Sequence, residues 1–382
     1  MITNDILYIG VNDRDIDLFE GQYVIPEGIS YNSYLIMDEK TAVMDTVDRR
    51  KQTEYLSNLE KALNGRTPDY LVVSHVEPDH ASSVRAFLDK YPSAQLVGNA
   101  KTFQMLTQYF ELNLDNAVTV KEGDVLSLGR HQLHFIMAPM VHWPEVMFTY
   151  DSCEKILFSA DAFGTFGALD SHEDWDLEAA KYYFNIVGKF GMPVQTVLKK
   201  AASLDIEIIC PLHGPVLKEN LGHYLEKYQI WSSYEPELEG VFIAYASLHG
   251  NTAAAAGKLA EILKEKGCPR VEIIDLARGD MAKALENAFR FGKVVLAASS
   301  YNGGLMPFME DFLHHLKGKN YQKRTIALIE NGSWAPSAKK TMCDLLSQMN
   351  GITILEPSVT IRGAVKEEDI AAMETMAGEL MK

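Results

Sequence analysis

The stretch "SHVEPDH", residues 74–80, places two histidines and two acids close together, directly after the apolar run 70–73. Ionisable side chains packed in a turn after a strand would repel each other or lack partners unless a cation joined them. Alternate residues of such a turn can face one space, so the cluster can serve two ions that share it. We therefore predict a metal site here. Its predicted ligands are His75, Glu77, Asp79 and His80.

Three more candidate ligands lie at the ends of later strand-like runs. They are His142 in "APMVHWPE", Asp161 in "LFSADAFG" and His213 in "CPLHGP". Taken singly, each would more often be an ordinary hydrogen-bonded loop or turn residue, so their assignment depends on the 74–80 cluster. The whole set contains imidazoles and carboxylates without thiolates. Such a mixture suits iron or manganese better than a closed structural zinc site.

The composition indicates a soluble protein with two domains. A chain of 382 residues is too long for one ordinary core, and 47% hydrophobic with 23% charged residues allows a sizeable interior. The net charge of −16 argues against nucleic acid or an anionic membrane as the main partner. No signal peptide and no membrane-spanning apolar run is visible. The 4 cysteines are scattered without a CxxC pair, so we expect reduced thiols and a cytoplasmic location.

The pattern of the chain changes near residue 230. Before it, short apolar runs and hairpin-like pairs such as "YLIMDEKTAVM" (34–44) indicate a largely antiparallel or mixed sheet. The segment "WSSYEPELEG" (231–240) is a plausible linker. After it, strands and helices alternate, which is typical of a doubly wound parallel sheet. The predicted domains are residues 1–238 and 239–382.

The motif HxExDH, followed by His, Asp and His at strand ends, resembles the metallo-β-lactamase fold, in which the motif is usually HxHxDH and binds zinc. Here glutamate replaces the second histidine of that motif at position 77. In this the motif resembles that of the flavodiiron proteins, a branch of that fold with two irons. The resemblance implies an N-terminal αββα sandwich followed by a flavodoxin-like domain. It also matches Asp45 to an acid that orients a ligand. The implied ligands are His75, Glu77 and His142 for one iron, Asp79, His80 and His213 for the other, and Asp161 as the bridge.

A flavin site is then expected in the second domain. The loop "YASLHGNT" (245–252) offers amides and hydroxyls at a predicted helix N-terminus, and without a lysine or a GxGxxG motif it suits a phosphate monoester such as that of FMN. Alone, it could be a simple turn. "SSYNGG" (299–304) and "ENGSWAP" (330–336) follow neighbouring strands and add glycines and aromatic faces, although loop aromatics also anchor loops to cores. The predicted FMN contacts are Ser247, Leu248, His249, Gly250, Asn251, Thr252, Ser299, Tyr301, Asn302, Gly303, Gly304, Asn331, Gly332, Ser333 and Trp334.

The resemblance, which covers about residues 1–380, implies an oxidoreductase. Electrons would pass from an external carrier such as rubredoxin through FMN to a di-iron site that reduces dioxygen to water or nitric oxide to nitrous oxide. The resemblance also implies a head-to-tail homodimer or a dimer of dimers. Within the family, the resemblance is to the two-domain class, because no cysteine-paired rubredoxin module follows the second domain.

Three residues are candidate hydrogen-bond or proton donors near the irons. They are Tyr182 and Tyr183, which could instead be core residues, and His172, which could be a surface residue. Two other functions stay open. One is a zinc hydrolase fused to a flavodoxin-like module, against which Glu77 argues. The other is an electron carrier with a relic first domain, against which the intact ligand set argues.

Overall fold

A computed structural model describes residues 2–171 and 174–382. The chain divides between Gln229 and Ile230 into two units. The boundary that we predicted, between residues 238 and 239, lies further along the chain, inside the segment 231–240 that we expected to be a linker. Instead of a linker, helix α7 (Leu221–Ser232) extends into this segment, and the first strand of the second unit begins at Leu238. The Trp231 indole N–H and the Arg290 Nε–H both donate to Glu237 Oε2 at 2.8 Å, so Arg290 of the second unit holds the segment.

Among the residues described, the first unit contains short strands, six α-helices that precede α7, a π-helix (Tyr183–Val187) and two 3-10 helices (Arg49–Lys51 and Gly188–Phe190). Its strands are β1 (Ile6–Tyr8), β2 (Val11–Asp13), β3 (Leu18–Phe19), β4 (Tyr23–Val24), β5 (Ile29–Tyr31), β6 (Tyr34–Met37), β7 (Thr41–Met44), β8 (Tyr70–Val72), β9 (Gln95–Gly98), β10 (Val118–Thr119), β11 (Val125–Ser127), β12 (Gln132–Met137), β13 (Met147–Asp151), β14 (Ile156–Phe158) and β15 (Ile208–Cys210). Its helices are α1 (Gln52–Leu63), α2 (Pro78–Ala81), α3 (Val84–Lys90), α4 (Ala100–Tyr109), α5 (Trp175–Tyr182) and α6 (Gly191–Ala201).

Two mixed sheets pack face to face in this unit. Their spatial orders are β1-β6-β7-β8-β9-β10 and β11-β12-β13-β14-β15. The predicted hairpin is confirmed: β6 and β7 pair antiparallel, with Tyr34 opposite Met44. Alternate residues of these strands, such as Ile36 and Ala42, join Phe135 and Phe158 of the other sheet in one buried core. Because β7 pairs parallel to β8 and β14 pairs parallel to β15, several strands end at the same edge of the unit.

The second unit is a parallel sheet with the spatial order β17-β16-β18-β20-β21. This is the flavodoxin-like order 2-1-3-4-5, so the predicted doubly wound fold is confirmed. The run "ITILEPSVTI" forms two short strands, not one, because Pro357 has no N–H to donate to a ladder. The elements are β16 (Leu238–Ala246), β17 (Val271–Asp275), β18 (Phe291–Tyr301), β19 (Gly304–Leu305), β20 (Thr325–Asn331), β21 (Thr353–Ile354), β22 (Val359–Ile361), α8 (Asn251–Glu265), α9 (Met281–Arg290), α10 (Pro307–Gly318), α11 (Ala338–Leu346) and α12 (Glu367–Leu380).

Helices cover both faces of this parallel sheet. Residues of α8 and α12, including Leu259 and Met373, pack against Ile243 and Val295 on one face. Helices α9, α10 and α11 contact the sheet as well. In the parts of the chain that the structure describes, no helix is both long and apolar enough to cross a membrane.

Candidate metal centre and cofactor cavity

The sequence-predicted metal ligands of the first unit all lie just beyond the ends of strands. His75 and Glu77 follow β8, and Asp161 and His213 follow β14 and β15. His142 lies between β12 and β13, and Asp79 and His80 lie in the short helix α2. The structure brings the seven side chains into two adjoining groups, in each of which the ligand atoms lie within 4.8 Å of one another.

The first group consists of His75, Glu77, His142 and Asp161. The Nε2 atom of His142 lies 3.1 Å from Glu77 Oε2 and 3.0 Å from Asp161 Oδ2. The Nε2 atom of His75 lies 3.2 Å from the same Glu77 oxygen and 3.6 Å from the same Asp161 oxygen. Two imidazole nitrogens and two carboxylate oxygens therefore converge on one small space, as the ligands of a metal ion do.

The second group consists of Asp79, His80 and His213. The Nε2 atoms of the two histidines are 3.0 Å apart, and they lie 3.3 Å and 3.2 Å from Asp79 Oδ2. His213 Nδ1 lies 2.7 Å from the carbonyl oxygen of Ser30, so this nitrogen carries the proton and Nε2 faces the group. Gly214 follows His213 with φ +78°, where a Cβ would lie 2.2 Å from Thr165 Oγ1, so only glycine lets this loop pack so closely.

Asp161 joins the two groups. Its Oδ2 faces His142 and His75, whereas its Oδ1 lies 3.3 Å from His80 Nε2 and 4.0 Å from His213 Nε2. The side chain is almost fully buried, at 1% exposure. Each carboxylate oxygen thus faces a different ligand group, which is the arrangement of a carboxylate that bridges two metal ions.

The electrostatics of the cluster require added positive charge. Burial alone would lower the pKa of His142, but Asp161 and Glu77 raise it to about 9. Burial would raise the pKa of Asp161, but His75, His142 and His80 bring it well below its usual value. In a metal-free protein, protons on the imidazoles would therefore have to neutralise the carboxylates. A metal ion supplies the same charge without a proton.

The donor atoms fit a di-iron centre. Both carboxylate oxygens of Asp79 and Oδ1 of Asp161 are buried, and none makes a hydrogen bond within the described part of the chain. Buried carboxylate oxygens are costly unless they are paired or bind a metal. The ligands are nitrogen and oxygen only, in the mixture that suits iron.

Two further acids lie beside the cluster. Asp45 Oδ1 accepts from the backbone N–H groups of Ser74 and His75 at 2.7 and 3.3 Å, so it orients the backbone of a predicted ligand and not its ring. Glu145, which the sequence did not single out, lies 2.8 Å from His75 Nδ1. A lone acid in "HWPEVM" carries no spacing signal, so only the fold could place it here.

The predicted proton donors have different surroundings. The Tyr182 ring lies 5.5 Å from that of His213, and burial together with Asp161, Asp79 and Glu77 raises its pKa well above the usual value. Tyr183 packs edge-on against Tyr228 at 5.0 Å. His172 lies outside the described residues.

The second unit contains a cavity of about 480 Å³ at the carboxyl edge of its sheet. Most of the predicted FMN residues line it, and three residues that the sequence analysis omitted, Ser300, Ala335 and Gly363, line it as well. Ser247, Gly250 and Gly304 are not among its lining residues. The predicted residues that line it are Leu248, His249, Asn251, Thr252, Ser299, Tyr301, Asn302, Gly303, Asn331, Gly332, Ser333 and Trp334.

The cavity has the features that FMN needs. Helix α8 begins at Asn251 beside it, so the positive end of the helix dipole would favour an anion bound there. The Thr252 and Ser299 hydroxyls are 2.8 Å apart and hold the first two loops together, and Ser247 Oγ accepts from the Gly250 N–H. The aromatic side chain of Trp334 is 90% exposed at the rim, which leaves its face free to stack on a ring.

Comparisons with known proteins agree with both halves of this description. A family model described as "ODP family beta lactamase" matches residues 29–214, and one described as "Flavodoxin domain" matches residues 242–374. The nitric oxide reductase of Moorella thermoacetica is 31% identical to this chain over 379 residues, which is 97% of this chain and 94% of that protein.

Solved structures are similar over the same range. The rubredoxin oxygen:oxidoreductase from the anaerobe Desulfovibrio gigas has a TM-score of 0.92 at 25% identity, and the match covers 100% of this chain and 97% of that one. The flavodiiron protein from Giardia intestinalis has a TM-score of 0.91 at 25% identity, with 99% and 96% of the two chains covered.

Proposed function

This chain belongs to the flavodiiron proteins, and on that premise we propose that it is an oxidoreductase that reduces dioxygen to water, nitric oxide to nitrous oxide, or both. Its cofactors are FMN and a di-iron centre. The observation that carries the proposal is the position of Asp161, whose two oxygens face two groups of imidazole and carboxylate ligands.

We propose that the seven residues of the two groups hold the irons, with His75, Glu77 and His142 at one position and Asp79, His80 and His213 at the other. Asp161 would bridge them. The residues lining the cavity of the second unit would hold FMN. When bound, FMN supplies electrons taken singly from a carrier, and the di-iron centre supplies the binding and reduction of a small diatomic gas.

Aromatic side chains pack against both ligand groups. The Trp143 ring lies edge-on to His75 at 5.3 Å, and Phe19 lies edge-on to His213 at 5.5 Å. The side chains of the ligand groups are at most 13% exposed, so the interactions between the carboxylates and their counter-charges are stronger than they would be in solvent. The Tyr182 hydroxyl is buried and makes no hydrogen bond with the residues described, and its raised pKa keeps the proton on its oxygen. Because the Tyr182 ring lies 5.5 Å from that of His213, whereas Tyr183 packs against Tyr228, Tyr182 is the better candidate for donating a hydrogen bond in the pocket.

The alternative of a zinc hydrolase is not favoured. Glu77 lies within 3.2 Å of both His75 and His142, so a carboxylate stands where zinc hydrolases of this fold have an imidazole. The relatives named above are reductases, not hydrolases.

The relatives use a gas as substrate and an external electron donor. We propose more specifically that the donor is rubredoxin or a similar small iron protein, and that the protein is a head-to-tail homodimer or a dimer of dimers. We also propose a cytoplasmic location, which the free state of the four cysteines supports.

Steady-state kinetics with both gases would test this function. Purified protein with chemically reduced rubredoxin should consume dioxygen, nitric oxide or both, and the ratio of the two kcat/KM values would define its preference. A protein that contains FMN and iron yet consumes neither gas with any reduced donor would refute the proposed function. Hydrolysis of a β-lactam or thioester by the zinc-loaded form at enzymatic rates would favour the alternative.

A further inference from the structure

Glu145 is a buried carboxylate that contacts the proposed metal ligand His75. It contacts Nδ1, the ring nitrogen that points away from the ligand groups. Its Oε1 lies 2.8 Å from His75 Nδ1 and accepts the backbone N–H of Val76 at the same distance. Its side chain is fully buried and belongs to neither ligand group. Because Nδ1 of His75 faces a carboxylate, Nδ1 carries the proton and the lone pair of Nε2 points toward Glu77 and Asp161.

The two ligand groups are chemically matched. Each offers two imidazoles and one carboxylate of its own, and they share Asp161. Ligand type alone therefore does not distinguish the two metal positions, so the residues that contact the ligands are where an electronic difference can arise.

The surroundings of the imidazole Nδ1 atoms, which point away from the metal positions, differ between the two groups. His75 faces the full negative charge of Glu145, whereas His213 faces the neutral carbonyl oxygen of Ser30 at 2.7 Å. The Nδ1 atom of His80 is buried and makes no hydrogen bond with any residue that the structure describes. An anionic partner increases the electron donation of an imidazole to its metal, and a neutral partner does so less.

We infer that Glu145 is a positioning residue that makes the iron held by His75, Glu77 and His142 the more electron-rich of the two. This inference rests on the proposed function, because it requires iron at both positions. A more electron-rich iron is more stable in the ferric state. With both irons bound, the iron held by Asp79, His80 and His213 would therefore be the easier of the two to reduce, and the difference between the two reduction potentials would set how much half-reduced centre can form.

The variant Glu145→Gln separates charge from geometry. The amide oxygen of the glutamine can still accept hydrogen bonds from His75 Nδ1 and from the backbone N–H of Val76, but the side chain no longer carries a negative charge. We expect the variant to bind iron about tenfold more weakly, as is typical when a hydrogen-bond partner of a metal ligand is changed. In a redox titration followed by low-temperature EPR, its midpoint potential should rise, and the largest fraction of half-reduced centre should fall because the two irons become more alike.

Asp151→Asn is a matched control. Asp151 lies 2.8 Å from His131 Nδ1, both side chains are fully buried, and this pair has the same chemistry as the pair of Glu145 and His75. The other ring nitrogen of His131 faces Arg130 and Asp5, and His131 belongs to a separate group with Cys153 and Glu154, not to the two ligand groups that share Asp161. The free energy of unfolding of this control should fall, while the midpoint potentials of the iron centre and the largest fraction of half-reduced centre should stay as in the wild type.

The results distinguish this inference from the proposed function. Unchanged potentials in Glu145→Gln, or equal shifts in Glu145→Gln and Asp151→Asn, would overturn the role of Glu145 while leaving the di-iron function intact. A wild-type protein that binds no iron would overturn both. If Glu145→Gln does not fold, half-reduced wild-type crystals decide the question by iron-edge anomalous diffraction. The inference predicts the ferrous ion at the position of Asp79, His80 and His213, and a ferrous ion at the other position would contradict it.

Discussion

The Nε2 atoms of His80 and His213 face each other at 3.0 Å in a pocket where both side chains are fully buried. Two imidazole nitrogens at this distance need a proton or a metal ion between them, since two lone pairs would repel. His213 donates its other ring proton to a carbonyl, so its inward nitrogen is free to bind a cation. The fold thus creates a place for positive charge before any metal arrives.

Metal-free protein should lose stability as the pH rises from 6.5 through about 9. His142 has a pKa of about 9 in the folded protein, against 6.5 as its ordinary value. The stability from its protonated form is therefore fully present below pH 6.5 and is lost as the pH rises through about 9. The pKa values of His75 and His80 are also raised, so they act in the same direction. Thermal unfolding midpoints across this range, measured by circular dichroism, would check the prediction.

Iron-loaded protein is the control for this pH series. A bound metal replaces the protons and requires deprotonated ligands, so the loaded protein should not lose stability over the same range. An equal decline in both forms would show that groups outside the cluster cause it.

Asp161→Ala should release iron while the protein stays folded. The change removes the carboxylate that faces both ligand groups, and with it one negative charge among four imidazoles. Metal analysis, circular dichroism and the flavin spectrum would be measured together. The control is Asp89→Ala, whose side chain is 61% exposed. Full iron content in Asp161→Ala would rule out a bridging role.

Glu77→His should convert the site to zinc without affecting the flavin. The change restores the HxHxDH pattern and makes the ligands richer in nitrogen, which favours zinc over iron. Zinc has no accessible redox state, so electrons would reach FMN and stop. We expect a yellow, reducible protein with gas consumption lowered by at least about tenfold, or ~1.4 kcal/mol in barrier terms. Glu219→His, at an exposed position, is the control. If the Glu77→His protein contains no iron and still consumes gas at the wild-type rate, then the flavin alone reduces the gas.

Trp334→Ala should weaken FMN binding to the full-length chain. The exposed indole at the cavity rim is placed to stack on the flavin ring. Loss of one aromatic pair should raise the Kd for FMN by roughly two- to tenfold. Fluorescence titration of flavin-free protein gives this value. Phe308→Ala is the matched control. It also removes an exposed aromatic ring from the second unit, because Phe308 is 43% exposed, but Phe308 does not line the cavity. Equal losses in both variants would mean that the effect is not stacking.

The convergence of the candidate ligands could be predicted because strand ends and the HxExDH spacing are visible in the sequence. His142, Asp161 and His213 follow different strands of one sheet, and that sheet brings their loops to one edge. The two-sided arrangement of Asp161 could not be predicted, because it depends on the direction of each carboxylate oxygen. Glu145 was missed for a similar reason: its function comes from a contact with a residue 70 positions away.

Turn and boundary positions were also hard to predict. The acidic, proline-containing segment 231–240 has the composition of a linker, yet tertiary contacts fold it: Trp231 and Arg290 both bond Glu237. Gly363 lines the flavin cavity from a loop after β22, where it pairs with the Asn331 side chain through its backbone. Nothing in the local sequence near 363 indicates that pairing.

The presence of a di-iron centre is decided by the metal content of protein purified from iron-rich medium, read together with its Mössbauer spectrum. The arrangement of the two ligand groups around Asp161 predicts about two irons per chain in one coupled spectrum, alongside bound FMN. Stoichiometric zinc without iron, or two irons that show no coupling, would contradict the di-iron centre on which this account depends.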